Sequence, residues 1–171
     1  TLSLHDPLYV DQLRRFRKLL QERNHLLRTR KLSLLDHYGE QLAFAGLAIS
    51  QRRESVTREF GEIFTPLFRE VSGIESQLSL VYRPSWGDAR STGEVMDRLR
   101  EKAAMDITLG TTGTGPHRDR FLFVADGRDF AKSASTGQQR LLSLLLRVAQ
   151  ARFYSETTGK KPILLLDDVL L

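Results

Sequence analysis

Residues 133–150, "SASTGQQRLLSLLLRVAQ", place Ser-Thr-Gly-Gln directly before a leucine-rich segment. Ser135 and Gln138 have the spacing of a capping box, in which both side chains bond backbone amides at a helix start. We therefore predict a helix from about residue 137 to 156, ended by Gly159. A helix start that carries a hydroxyl, a glycine and an amide is also suited to binding a phosphate group, and the two interpretations are compatible.

A second informative stretch is "PILLLDDVLL", residues 162–171. Its continuous apolar run predicts a strand from about residue 162 to 166 that is buried on both faces of a mainly parallel sheet. Asp167 and Asp168 follow at the carboxyl end, where open α/β sheets bind their ligands. In nucleotide hydrolases one acid at this point holds Mg²⁺, usually through water, and a second activates the attacking water. The alternative is a strand end with two solvated aspartates.

In order along the chain, Ser-x-Gly-Gln, a helix, an apolar strand and paired acids resemble the signature and Walker B elements of ABC-type ATPases. A Walker A element is missing, because the glycine-rich residues 110–121, "GTTGTGPHRDRF", contain no Gly-Lys-Ser/Thr. No other segment of the chain supplies one. The chain alone therefore lacks the usual cradle for the β- and γ-phosphates.

The composition limits the class of protein. A chain of 171 residues with 40% hydrophobic and 27% charged residues is typical of a globular protein. No apolar run approaches the roughly 18 residues that span a bilayer, so no membrane association is expected. The absence of cysteine excludes a disulfide framework and fits the reducing cytoplasm, where we expect the protein. The four histidines show no metal-ligand spacing.

Positive charge is concentrated between residues 14 and 31. This segment holds eight basic residues and one acid, whereas the net charge of the whole chain is only +5. Such a patch favours a polyanionic partner, either nucleic acid or an acidic protein surface. Its alternative is an ordinary solvated helix face. We take four of these residues as candidates for DNA contacts: Arg14, Arg15, Arg17 and Lys18.

The first part of the chain, residues 1 to about 75, predicts a helical arm. Asp6-Pro7 is a typical helix start, and apolar residues recur at helical spacing to about residue 30. A second, longer helical pattern begins near Leu34, and Pro66 is expected to end or kink it. Two long helices joined by a tight connection would run antiparallel.

The remainder, residues 76–171, predicts an α/β region. The segment "SQLSLVYRP" alternates like a half-buried strand, with Leu78, Leu80 and Tyr82 on one face. Ser91 and Glu94 have capping-box spacing at the start of a short helix. Alternating residues 121–124 then precede Asp126-Gly127, which is a strong hairpin signal.

Three segments together resemble the bacterial RecF family: "DITLGTTGTGPHRDRF", "SASTGQQR" and "PILLLDDVLL". The opening segment "DPLYVDQLRRFRKLLQERNHLLR" is also similar to the region that leads into the helical arm of that family. The resemblance implies an α/β fold: a partial ABC/SMC-like P-loop ATPase head with an inserted antiparallel helical arm. The arm would cover residues 1–75, and the signature and Walker B half of the head would cover residues 76–171.

The resemblance also implies a function, that of an ATP-dependent DNA-binding recombination mediator. Such proteins act at single-strand gaps or junctions and help RecO and RecR to load RecA. Ser135, Gly137 and Gln138 would contact the γ-phosphate of ATP bound to the opposite protomer of an ATP-dependent homodimer. Asp167 would hold Mg²⁺ through water, and Asp168 would be the catalytic acid that activates water.

The chain departs from the family pattern in two ways. Arg120 stands where the family usually has a second acid after Gly-Pro-His-Arg-Asp, so any role of that acid is in doubt. The Walker A region, the Q-loop and the D-loop are missing, which indicates an internal fragment of a longer protein. The parent family is a slow DNA-dependent ATPase, whereas this chain alone is expected to be inactive.

Two other functions fit the sequence. One is a non-enzymatic module whose helical arm binds protein or DNA through its basic face. The other is the head of a different SMC-like repair ATPase, such as a RecN-type protein, although those heads carry much longer coiled coils than the arm predicted here.

Overall fold

The computed structural model describes residues 6–73 and 78–165. In chain order its elements are α1 (Pro7–Thr29), α2 (Leu35–Ser72), β1 (Ser79–Arg83), α3 (Thr92–Glu101), α4 (Ala103–Leu109), β2 (Arg120–Ala125), β3 (Arg128–Asp129), α5 (Phe130–Ser133) and α6 (Thr136–Thr158). Two 3-10 turns lie at Leu32–Leu34 and Pro116–Arg118. None of the helices described is long and apolar enough to cross a bilayer.

The described residues group into two compact units. The helical unit comprises residues 6–53 and 83–120, and the sheet unit comprises residues 54–73, 78–82 and 121–165. Helix α2 contributes residues to both units. Residues 83–120 therefore group with the two long helices. The predicted division of the chain into an arm, residues 1–75, and a half of an ATPase head, residues 76–171, stays a prediction.

In the helical unit, α1 and α2 run antiparallel, as predicted. Asp6 caps α1 by accepting a hydrogen bond from the amide of Tyr9 at 3.0 Å, and Pro7 occupies the first turn. Arg30 ends the helix in the left-handed conformation, with φ of 55°. Near the start of α1, Tyr9 Oη accepts a hydrogen bond from Nε of Arg53, a residue of α2, at 2.9 Å.

Close packing around Trp86 dominates the middle of this unit. Trp86 is only 2% exposed. Its ring lies directly against Gly46 of α2, so that a Cβ atom at position 46 would overlap the ring. The same Cβ would lie 3.1 Å from Cε2 of Phe16 on α1. Gly46 therefore provides the space in which an indole ring fits between two helices.

Replacing Gly46 with alanine is expected to lower the free energy of unfolding by about 1–3 kcal/mol, because the added methyl overpacks this site. The matched control is Gly61→Ala in the same helix, where a Cβ would meet nothing within 4 Å. That substitution is expected to stabilise by about 0.5–1 kcal/mol, the usual gain inside a helix. Urea denaturation of both variants measures the difference. Two stabilising substitutions would show that Trp86 moves aside freely.

Pro66 was predicted to end or kink α2, and an end there is wrong, because the helix continues to Ser72. Proline removes one amide donor and crowds the preceding turn, which usually disrupts a helix interior. Here Phe64 and Phe68 on either side of Pro66 are 0% and 1% exposed. Burial of these two rings in the core of the sheet unit offsets the cost of the proline.

The sheet unit is built on a three-stranded sheet in the order β1-β2-β3. Strands β2 and β3 pair antiparallel, with Val124 opposite Asp129. Asp126 and Gly127 both have positive φ, 49° and 75°, which is the two-residue hairpin turn predicted from Asp-Gly. The sheet and helix α6 pack around a phenylalanine-rich core: Val56, Phe60, Phe64, Phe68, Leu78, Phe130, Leu142, Leu145, Ala149 and Phe153.

The predicted buried strand at residues 162–166 is not formed over its described part. Residues 161–165 have no regular structure, and Ile163 and Leu165 are 89% and 85% exposed. A strand in the middle of a parallel sheet needs hydrogen-bonding neighbours, and no described strand pairs with this segment. The apolar run is typical of a buried strand, but a strand also needs a neighbouring strand to pair with, and the described residues provide none for this segment.

Candidate nucleotide and nucleic-acid interface

The predicted phosphate-binding residues lie together at the start of α6. Ser135 is the N-cap, and its Oγ accepts a hydrogen bond from the amide of Gln138 at 3.3 Å. Oε1 of Gln138 accepts in return from the amide of Ser135 at 2.8 Å. The predicted capping box is therefore present. Because Oγ acts as an acceptor in it, the hydroxyl of Ser135 keeps its own proton to donate.

Gly137 occupies the second position of the same helix start. Its backbone is helical, and an added Cβ would meet nothing within 4 Å. The residues that the structure describes therefore give no steric reason for glycine at position 137. Ser135 and Gly137 are exposed, and Gln138 borders an open cleft of about 390 Å³ beside the β2–β3 hairpin. A glycine at an exposed helix start leaves room for an outside group to approach the backbone amides.

The predicted catalytic and metal-binding acids, Asp168 and Asp167, lie outside the described residues. Their proposed roles in binding Mg²⁺ and activating water stay predictions. The structure brings together three of the five residues assigned to ATP: Ser135, Gly137 and Gln138.

The basic segment divides into exposed and buried residues. Arg14, Arg15, Arg17 and Lys18 are exposed, and the side chain of Arg14 forms a 3.1 Å ion pair with Asp11 within α1. Arg14, Arg17 and Lys18 are neighbours on one exposed side of α1, because residues three and four positions apart lie on the same side of a helix. These residues form an accessible cationic surface, as the DNA-binding prediction requires.

Arg23 does not belong to that surface, although it was counted in the basic segment. It is 3% exposed and donates from Nη1 to Oδ2 of Asp106 at 2.9 Å and to Oγ1 of Thr112 at 2.6 Å. Asp106 is 1% exposed and also accepts from the amide of Gly113 at 2.9 Å. A buried charge is stable only when it is paired and hydrogen-bonded, so these contacts explain where Arg23 lies.

The segment from Gly110 to Asp119, here called the motif loop, is fixed along α1 by this network. At its start, Gly110 packs against the side chain of Arg28. Next, Oδ1 of Asn24 accepts from the amide and the hydroxyl of Thr112, both at 2.7 Å. Further along, the ring of His117 lies 5.9 Å from that of Phe16. The loop thus follows α1 back towards its N-terminus.

A second ion pair holds the end of the motif loop. Nη1 of Arg53 donates to Oδ2 of Asp119 at 2.7 Å and to the carbonyl of Pro116 at 2.6 Å. Oδ1 of Asp119 accepts from the amide of Ser85 at 2.8 Å. Burial of Arg53 opposes its charge, but the hydrogen bonds to Tyr9 and Asp119 outweigh this effect and raise its pKa. Arg53 therefore stays charged, and its bonds to Pro116 and Asp119 hold the motif loop against α2.

Gly115 and His117 set the local shape of the loop. Gly115 has φ of 130° and ψ of −179°, a backbone conformation restricted to glycine. Nε2 of His117 lies 2.9 Å from the carbonyl of Thr112, which can only accept, so Nε2 carries the hydrogen. Burial of the His117 ring lowers its pKa, so the imidazole is neutral at pH 7. The cation next in the loop is Arg118, which is exposed.

Sequence reasoning missed the buried roles of Asp106, Asp119 and Arg53. The sequence held a signal of burial only for Arg23, which lies seven residues after Phe16 and four after Leu19 and therefore falls on the same buried face of α1. Its partner Asp106 lies 83 residues away in the chain, so no local pattern connects the two.

Comparison with curated proteins gives matches over the whole chain, although no family model matches it. DNA replication and repair protein RecF from Treponema pallidum (strain Nichols) is 38% identical over 171 residues, which cover 100% of this chain and 48% of that protein. The protein of the same name from Moorella thermoacetica is 36% identical over 173 residues, covering 98% of this chain and 46% of that protein. The chain spans about half the length of these relatives.

Two solved structures have the same fold. A structure of the recombination mediator protein RecF with ATP, in the RecFOR pathway, superposes with a TM-score of 0.89 at 29% identity and covers 99% of this chain and 48% of that one. A second, with ATPrS, gives 0.87 at 30% identity and covers 96% and 47%. These likenesses confirm the predicted fold class, a partial ABC/SMC-like ATPase head with a helical arm. Over its whole length, this chain is therefore similar in sequence and in fold to one half of the proteins named RecF.

Proposed function

We propose that this chain provides the signature half of an ATP-dependent, DNA-binding recombination mediator. The observation that carries this proposal is the exposed, self-capped start of α6, where Gly137 has no steric role within the chain. It is supported by the whole-length similarity to proteins named as RecF and to a RecF structure solved with ATP. Action at single-strand gaps or junctions, cooperation with RecO and RecR, and RecA loading belong to the same proposal.

In this proposal, ATP bound to one copy of the complete protein meets Ser135, Gly137 and Gln138 of another copy. The hydroxyl of Ser135 donates to an oxygen of the γ-phosphate, and the positive end of the helix dipole favours its negative charge. The lack of a side chain at Gly137 lets that oxygen reach the backbone amides. ATP thus holds two copies together as a homodimer.

Hydrolysis would end this bridge. Asp167 would hold Mg²⁺ through water, and Asp168 would accept a proton from the water that attacks the γ-phosphorus, with ADP as the leaving group. Loss of the γ-phosphate from between the two copies would release the dimer from DNA. Bound ATP thus favours the dimer and its hydrolysis favours separate copies, so the nucleotide state would control dimerisation.

The test uses a chimera in which this chain replaces the matching half of Treponema pallidum RecF, because this chain spans 48% of that relative. Ser135→Arg is expected to reduce ATP-driven dimerisation at least tenfold, since its side chain fills the space of the γ-phosphate. Ser143→Arg is the matched control, because Ser143 is exposed on the same helix. Light scattering with and without ATP measures the dimer. Equal dimerisation of the two variants would contradict the proposal that Ser135 lies at the dimer interface.

A second variant separates this effect from damage to the helix, because Ser135→Arg also removes an N-cap that is worth about 1 kcal/mol. Gly137→Ala meets nothing within 4 Å and keeps the cap, so the stability of the chain should be unchanged or slightly higher. ATP-driven dimerisation should still fall. A Gly137→Ala chimera that dimerises normally would contradict the proposed approach of phosphate to the backbone.

A second candidate function is a non-enzymatic module that binds DNA or protein through α1. The observation in its favour is the exposed face with Arg14, Arg17 and Lys18. In the ATPase proposal the same face is the candidate DNA contact. The two functions differ in the chimera, because a binding module would bind DNA equally well with and without ATP.

A further inference from the structure

The end of the motif loop presents an exposed cation on a rigid support. Arg118 follows Gly115 and Pro116, both buried, and precedes Asp119, whose carboxylate is held by Arg53 and Ser85. Partly buried hydrogen bonds to Pro116 and Asp119 thus fix the residues on both sides of Arg118. Its own side chain is exposed, and it takes part in none of the ion pairs described for residues 6–73 and 78–165. The fold therefore fixes the position of this cation, although its side chain adds no described ion pair that would stabilise the fold.

Two further arginines lie at the adjoining ends of β1 and β2. Oγ of Ser79 donates to the carbonyl of Val124, and the rings of Tyr82 and Phe121 lie 5.1 Å apart. Both contacts fit one antiparallel register, in which Arg83 lies directly opposite Arg120. Residues opposite one another on antiparallel strands have Cβ atoms about 4.5–5.5 Å apart. Two guanidinium groups therefore start from neighbouring positions on one face of the sheet.

Arg83, Arg118 and Arg120, here called the arginine cluster, occupy neighbouring backbone positions. Arg118 and Arg120 flank Asp119, and Arg83 lies two residues before Ser85, whose amide bonds Asp119 at 2.8 Å. The charge of Asp119 is already matched by Arg53 at 2.7 Å. Of the ion pairs described within residues 6–73 and 78–165, none involves a member of the cluster.

Fold stability does not account for this arrangement. Like charges directly opposite on neighbouring strands repel, and a glutamate at position 120 would instead form a cross-strand pair with Arg83. The cluster therefore opposes folding slightly, and an anion from outside would relieve the repulsion. Guanidinium groups match phosphate oxygens in paired hydrogen bonds, which makes phosphate the favoured anion.

We propose that the arginine cluster binds the phosphate backbone of nucleic acid, at a site separate from the basic face of α1. Three exposed guanidiniums on neighbouring chain segments suit the successive phosphates of a strand, and each contact adds to a salt-dependent affinity. The choice of nucleic acid as the ligand rests on the DNA binding proposed above. The site itself depends only on the positions of Arg83, Arg118 and Arg120.

The experiment compares three charge-neutralised versions of the 171-residue chain. The first carries glutamine at Arg83, Arg118 and Arg120. The second carries glutamine at Arg14, Arg17 and Lys18 of α1. The third is the matched control and carries glutamine at three exposed arginines of the sheet unit: Arg58, Arg69 and Arg147. All three lose the same charge, so a general electrostatic effect is the same in each.

Binding of a fluorescein-labelled DNA duplex and of a single strand is measured by anisotropy between about 50 and 200 mM salt, the range over which phosphate contacts weaken strongly. The cluster variant is expected to lose affinity at least tenfold relative to the control variant. The slope of log K against log salt should fall by about two to three, since each lost contact removes roughly 0.9. Circular dichroism should show unchanged folding, because the substitutions remove none of the ion pairs seen in the described part of the chain.

Each outcome decides between the two sites. If the cluster and control variants bind alike while the α1 variant is weakened, the cluster proposal is wrong and the proposed DNA binding stands. If only the cluster variant is weakened, the cluster is the DNA site and the assignment of α1 fails. Equal binding by all three variants, or no binding by the unaltered chain, overturns both.

Discussion

Replacing Asp106 with alanine is expected to lower the free energy of unfolding of the helical unit by about 3–5 kcal/mol, because it leaves the charge of Arg23 buried and unpaired. The two side chains are 1% and 3% exposed, so water cannot replace the lost carboxylate. Asp106 also accepts a hydrogen bond from the amide of Gly113 at 2.9 Å. Its removal therefore loosens the motif loop as well as the ion pair.

The measurement is urea denaturation followed by circular dichroism. The matched control is Asp97→Ala, because Asp97 pairs with Arg100 at 3.6 Å while its side chain is 73% exposed. An exposed pair of this kind contributes about 0–1 kcal/mol. If Asp106→Ala were no more destabilising than Asp97→Ala, water would have to reach Arg23 in the folded protein. An Arg23→Met, Asp106→Leu double variant should recover much of the loss, since it removes both buried charges.

Replacing Phe64 with alanine is expected to destabilise the sheet unit by about 3–5 kcal/mol, the cost of a large cavity in a core. Phe64 is 0% exposed. Its ring lies 5.9 Å from that of Phe60, 5.8 Å from that of Phe68 and 5.3 Å from that of Phe123. Three aromatic contacts are lost together, and rings of this size leave a void that neighbouring side chains fill only in part.

Thermal unfolding of Phe64→Ala and of Phe44→Ala tests this expectation. Phe44 lies on the same helix but is 64% exposed, so its truncation should change the free energy of unfolding by less than about 0.5 kcal/mol. Helix propensity is matched, because both substitutions are phenylalanine to alanine within α2. A small loss at Phe64 would mean that the aromatic core collapses around the missing ring.

Local signals in the sequence predicted much of this fold. The capping boxes at Ser91 and Ser135, the hairpin at Asp126-Gly127 and the stop at Gly159 all depend on residues within a few positions of each other. Short-range hydrogen bonds and backbone preferences are readable from such spacings. The candidate phosphate site belongs to this class, because Ser135, Gly137 and Gln138 occupy one helical turn.

Long-range pairing explains what the sequence did not reveal. Arg23 was interpreted as one of a group of surface cations, because nothing within its own helix indicates a partner 83 residues away. Pro66 was expected to end or kink its helix, because its near neighbours in the sequence do not show that Phe64 and Phe68 pack into a core while the helix continues to Ser72. The arginine cluster depends on the register of two strands, and single-sequence patterns do not fix the register between strands.

A single continuous helix of 38 residues, α2, supplies side chains to both compact units. Each residue inserted into an α-helix turns everything beyond it by about 100°. One extra residue between Phe60 and Phe64 would therefore rotate Phe60 away from the face that Phe64 and Phe68 share in the core of the sheet unit. Length variation in this helix should be tolerated only in steps of about seven residues, close to two full turns, so that natural insertions are expected in the connections between elements.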